Sequence, residues 1–137
     1  MRAVVLTDYG SLDKLSLTDF PDPVPGPEEI IVDVRATAVN YVDLVMIGGR
    51  YQFKPEVPFV PGKGPAGIVK SVGENVMDFA PGDRVLAMAE QGGYAALTPI
   101  HRNNCYHLPD AMSFADAASM ALVYDTAWFS LVERGQF

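Results

Sequence analysis

Proline and glycine interrupt this chain so often that, before residue 113, it can be assembled mostly from short extended pieces. The pieces "AVVL", "LSLTDF", "EIIVDVRATAV", "AGIVKSVG", "DRVLAMA", "GGYAALTPI" and "CYHLP" are rich in strand formers, and breaks such as "PDPVPGPEE" and "FAPGDRV" read as turns. In the second break Pro81 presets φ and Gly82 accepts positive φ, a tight turn feeding a strand. In "EIIVDVRATAV" the residues Ile30, Val32, Val34, Ala36 and Ala38 alternate with Ile31, Asp33, Arg35 and Thr37, the period of a strand with one covered face. The expectation is a mainly β domain with short helices, a small barrel or sandwich.

Two stretches depart from that pattern. In "NYVDLVMIGG", Asn40 followed three residues later by Asp43 is a capping arrangement, and Gly48 supplies a stop, which predicts a helix of about two turns. In "SFADAASMALVYDTAWFSLVERG", Ser113 caps, Asp116 complements the helix dipole, and Ala117, Met120, Ala121 and Tyr124 recur at helical spacing. A second helix start at "DTAW", giving a last helix over 125–134, fits the same run.

The chain has 137 residues, 49 % of them hydrophobic, enough for one core and one domain. Ten basic against 17 acidic residues, a formal charge of -7, argue against a nucleic-acid backbone or an anionic membrane surface as partner. Cys105 is the single cysteine, so no disulfide framework exists and the expected compartment is the reducing cytoplasm. The first residues are too briefly apolar for a signal peptide. His101, Cys105 and His107 lack the spacing or carboxylate partner of a metal site.

One turn remains unexplained by β punctuation alone. "PGKGPAGIV", residues 61–69, sets Lys63 and Gly64 in a bend that leads straight into a strand. A solvated lysine is the ordinary reading of such a bend; a cation at the rim of a cleft, meeting an acidic substrate or a cofactor phosphate, is the functional one.

Taken in order, "PDPVPGPEEIIVDVRATAVNYVD", "GGRY", "VPFVPGKGPAGIVKSVGENVMDFAPGDRV", "GGYAAL" and "LPDAMSFADAASMALVYDTAW" give the chain a resemblance to the medium-chain dehydrogenase/reductase superfamily, in its zinc-free, zeta-crystallin-like quinone oxidoreductase branch. The likeness covers nearly all of 1–137 and implies a GroES-like β-barrel domain. It also implies a Rossmann domain for NADPH beginning soon after a pair like Thr126-Ala127. No G-x-G-x-x-G turn occurs in these residues, so that half is expected to lie outside them. In zinc-dependent relatives the metal ligands stand where this chain has Asn40, Lys63, Gly64 and Leu122. None of these is a useful zinc donor, so no metal is expected.

Without a Lewis acid, a conjugated acceptor is the easier substrate, because charge delivered with a hydride spreads into an enolate or hydroquinone that hydrogen-bond donors can hold. The resemblance implies that Asn40, Asp43 and Tyr51 line the catalytic cleft and that Asn40, Tyr51 and Thr126 border the nicotinamide; Lys63, read as a cation at the cleft edge, is a candidate substrate contact. It implies a quinone or enone as small-molecule partner and a homodimer for the full-length protein. The same residues have plainer readings: Asn40 and Asp43 as a helix cap, Tyr51 as a loop aromatic, Thr126 as the cap of the last helix. Two other functions stay open, a non-catalytic GroES-like interaction module and a zinc-less alcohol dehydrogenase relative.

Overall fold

The computed structural model describes residues 1–137. As the Pro/Gly punctuation predicts, it is mainly β: strands β1 (Arg2–Leu6), β2 (Leu15–Asp19), β3 (Glu29–Ala36), β4 (Ala66–Val72), β5 (Arg84–Ala87), β6 (Leu97–His101) and β7 (Cys105–His107), with helices α1 (Tyr41–Ile47) and α2 (Phe114–Trp128). β1 and β2 form an antiparallel hairpin, and the remaining strands form one antiparallel sheet in the order β6-β3-β4-β5-β7. Two single bridges, Ala3 with Ala95 and Leu6 with Phe59, stitch the hairpin to the rest.

β3 is more buried than a strand with one covered face. Ile30, Ile31 and Val32 are all inside: Ile30 and Val32 join the main core on one face, and Ile31, on the alternate face, is covered as well. The expected one-faced strand is corrected in that respect, and it ends at Ala36 rather than reaching Ala38. Ile30 and Val32 pack with Val69, Val85, Phe79 and Ile100 in the main core. Each such side chain contributes about 1.5–3 kcal/mol on burial. "GGYAALTPI" also divides: only Leu97–His101 is strand, and the residues before it are held by isolated backbone bonds such as Val4 N–H to Tyr94 O at 2.9 Å.

α1 is the two-turn helix the capping pattern predicts, ending at Gly48, whose N–H donates to Leu44 O at 3.0 Å. Met46 and Ile47 bury against Leu6 and Phe59. α2 starts at Ser113, whose hydroxyl accepts the Asp116 N–H at 3.0 Å. Its small residues Ala117 and Ala118 let it lie close over Ala66. The buried stripe is Ala117, Ala118 and Ala121; Tyr124, which the spacing assigned to that face, is 63 % exposed. The helix overruns the sheet after Ala121, and every residue from Val123 to Phe137 is exposed. No second start occurs at "DTAW": α2 runs unbroken through Asp125 and continues in π-helical turns over Phe129–Arg134. The separate helix expected over 125–134 is therefore absent, because a continuous hydrogen-bond ladder leaves Thr126 no terminus to cap.

Candidate functional site

Every residue from Phe59 to Gly67 is buried, so the "PGKGPAG" bend is an interior turn. Its backbone lies against the segment ahead of β6: Val60 O accepts from Gly92 N–H at 2.8 Å, Pro61 O from Tyr94 N–H at 3.0 Å, and Gly62 O from Gly93 N–H at 2.9 Å. Glycine is required at two points of this contact. At Gly62 φ is +95°, and an added Cβ would stand 2.6 Å from the Tyr94 ring. At Gly64 φ is +61°, and a Cβ would stand 2.7 Å from the Ala121 Cβ. α2 thus occupies the space that a side chain at residue 64 would need.

Lys63 is only 4 % exposed, which overturns its reading as a solvated turn residue. Its ammonium forms an ion pair with the Glu90 carboxylate and lies 4.6 Å above the centre of the Tyr51 ring. Burial of a charge demands such partners, and an aromatic face is a favourable one for a desolvated cation. Beside this group a cavity of about 50 Å³ is bordered by Lys63, Gly64, Met88, Glu90, Ala121 and Leu122.

Asn40 and Asp43 do cap α1. The Asp43 carboxylate accepts the Asn40 N–H at 2.8 Å, and the same oxygen, Oδ2, accepts the Tyr94 hydroxyl at 2.7 Å. Burial foremost, and then the hydrogen bond to Asp43, push the Tyr94 phenol well above its ordinary range, so it remains a donor. Asp43 is 1 % exposed, and its Oδ1 is buried without a partner. The resemblance implies that it lines the catalytic cleft; here it is enclosed, and its hydrogen bonds go to the Asn40 backbone and the Tyr94 hydroxyl.

Four of the five candidate residues therefore fall into two linked groups. Tyr51 joins Lys63 and Glu90, while Asn40 joins Asp43 and Tyr94; Tyr94 connects the groups, because its ring packs on Gly62 next to Lys63. Thr126 stands apart on the exposed part of α2, its hydroxyl donating to Leu122 O at 2.8 Å. It is one helical turn beyond the cavity-lining Leu122 and bonds to none of the other four. Tyr94 and Glu90 were not singled out from the sequence. Tyr94 sits within "GGYAAL", whose paired glycines signal close backbone approach; Glu90 carries no such signal.

A family model described as the alcohol dehydrogenase GroES-like domain matches residues 26–115. The chain belongs to this family. The GroES-like domain is 36 % identical over 137 residues to the synaptic vesicle membrane protein VAT-1 homolog of Rattus norvegicus, covering 98 % of this chain and 34 % of that protein. It is 34 % identical over 134 residues to the quinone oxidoreductase of Homo sapiens, covering 96 % of this chain and 41 % of that protein. It superposes on the crystal structure of Escherichia coli quinone oxidoreductase complexed with NADPH with a TM-score of 0.90, at 30 % identity, over 96 % of this chain and 40 % of that one. The GroES-like domain thus spans between about a third and two fifths of these relatives' lengths. No helix in it is long and apolar enough to cross a membrane.

Proposed function

We propose that this GroES-like domain belongs to a cytoplasmic, NADPH-dependent oxidoreductase, homodimeric at full length, that reduces quinones or α,β-unsaturated carbonyls without zinc. The observation that carries the reading is the donor set at the buried turn. Lys63, Gly64 and Leu122 gather on one small cavity and offer an ion-paired ammonium, no side chain and an aliphatic group. Such a set repels a divalent cation, so zinc does not fit there. Similarity to quinone oxidoreductases, one of them solved with NADPH, supports the same class.

The residues fit the reactive end of a nicotinamide cofactor. Asn40 is half-buried at the N-terminus of α1, with its backbone fixed by Asp43, and Tyr51 is half-buried beside the Lys63 cation. Thr126 presents a hydroxyl from an exposed helix face. The bound cofactor supplies a hydride. For this domain the task is to receive charge on the acceptor's oxygen: the Asn40 carboxamide and the Tyr51 phenol are donors that can hold that oxygen as the enolate or hydroquinone anion forms. Asp43 keeps Asn40 in place.

The test is an assay of the full-length protein with NADPH and a panel of quinones, enones and simple primary alcohols. Turnover of the conjugated acceptors, falling sharply in Asn40→Ala and Tyr51→Phe, is the expected result. Neither cofactor binding nor turnover would overturn the reading. A second reading, a binding module without turnover, draws on the similarity to the VAT-1 homolog, whose name speaks of a vesicle membrane and of no reaction. It predicts that the same two substitutions leave the protein's biological effect unchanged.

A further inference from the structure

The Lys63–Glu90 pair is lopsided. The lysine side chain is 4 % exposed, whereas that of Glu90 is 62 % exposed. A carboxylate so open to water can leave the pair at little cost, since the solvent takes over its stabilisation. An ammonium buried under a turn has no such refuge and must keep an electron-rich partner. Glu90 therefore holds the lysine as an exchangeable counter-ion.

The remaining valences of the ammonium point the same way. An ammonium carries three N–H donors. Glu90 takes one, the Tyr51 ring covers one side, and no third hydrogen bond is made. The neighbouring cavity of about 50 Å³ is bordered by Lys63 and Glu90 on one side and by Ala121 and Leu122 of α2 on the other. A water needs roughly 10–15 Å³ of such space, so the cavity has room for an oxygen and the carbon that carries it. Its other walls are a glycine without a side chain and apolar groups, which leave Lys63 as its cation.

We infer that Lys63 is a substrate-oxygen site: the carbonyl tip of a conjugated acceptor enters the cavity, displaces Glu90 and hydrogen-bonds to Nζ, which then holds the oxygen as it becomes anionic. The inference rests on the proposed reduction of quinones or enones and assigns to Lys63 the electrostatic part of it. Tyr51, whose ring lies under the ammonium, fixes the direction of the donor.

Binding to this chain itself provides the test, with 4-nitrophenolate as a stable mimic of the anionic oxygen and nitrobenzene as its neutral, weakly accepting control. Titrations are followed by phenolate absorbance and by the NMR signal of the Lys63 ammonium in ¹⁵N-lysine-labelled protein. The expected result is saturable phenolate binding that shifts the Lys63 signal, is weakened about tenfold or more in Lys63→Met, and is retained in Lys63→Arg. Glu90→Gln, which leaves Lys63 in place and removes its competitor, is expected to bind phenolate several-fold more tightly. Thermal unfolding of each variant establishes that it is folded; if Lys63→Met is not, the Glu90→Gln result decides. Absent phenolate binding, equal binding by folded Lys63→Met, or unchanged or weaker binding by Glu90→Gln would overturn the site. A full-length protein that fails to oxidise NADPH with any acceptor, while this chain still binds phenolate through Lys63, would overturn the reductase reading alone.

Discussion

The Tyr94 hydroxyl donates to the Asp43 carboxylate at 2.7 Å, joining the segment ahead of β6 to the first turn of α1 across 51 residues of sequence. Asp43 has only one other donor, the Asn40 N–H, and one of its oxygens has none. Removing the phenol leaves a buried carboxylate closer to isolation, a costly state in a low-dielectric interior. Tyr94→Phe is expected to lower stability by about 1–3 kcal/mol. Asp43→Asn is expected to lower it as well, and a double-mutant cycle in urea should return a coupling energy well above zero. Additive losses would mean that the two side chains do not support each other.

Gly64 has a different kind of constraint. Its φ of +61° is unfavourable for a residue with a Cβ, and that Cβ would stand 2.7 Å from Ala121. Gly64→Ala is expected to cost about 2 kcal/mol or more in unfolding free energy. Ala121→Gly opens the space but leaves the φ strain, so the loss in the double variant should fall short of the sum of the two single losses by about 1 kcal/mol. A cycle without coupling would place the whole cost in the backbone.

These two cases also show what was legible in the sequence. The strands and turns were, because proline, glycine and β-branched residues act on their immediate neighbours, and both α1 and the Ser113 start of α2 carry local caps. Asn40 with Asp43 was legible for the same reason, three residues being one helical turn. The site's other connections were not: Lys63 to Glu90 spans 27 residues and Tyr94 to Asp43 spans 51, so no window contains both partners. Lys63 is misleading in isolation, since a lysine between two glycines is ordinarily solvated; only the β6 approach and α2 on either side of the turn enclose it. Resemblance brought out Asn40 and Tyr51, yet the residues holding them in place emerged only from the packing.

Burial also sets an alkaline limit. Desolvation pushes the Cys105 thiol up to about 12 and carries the Tyr94 phenol above its ordinary range. Both groups are neutral when protonated, so each stabilises the fold fully below the pKa it has in the unfolded chain. That contribution is lost as the pH rises toward the folded value, because the unfolded chain ionises first. Stability should therefore decline from about pH 9 toward 12. Cys105→Ala and Tyr94→Phe should each flatten the decline, whatever they do to stability at neutral pH. The native thiol should also react slowly with a disulfide reagent at pH 8 and rapidly after unfolding, a difference read directly by absorbance.

The end of α2 gives the last expectation. Trp128, the single tryptophan, is 62 % exposed, in a run where Tyr124, Phe129, Leu131 and Val132 are exposed as well. A contiguous apolar surface of this kind is unusual on a free monomer and favours association. At low concentration the tryptophan should be quenched by acrylamide almost as readily in the native chain as in urea. Raising the concentration should protect it, in step with a larger species in sedimentation velocity, and Trp128→Glu should abolish that species while leaving the unfolding transition of the β core in place. A strict monomer at high concentration, with quenching independent of concentration, would show that this face is tolerated in water without self-association.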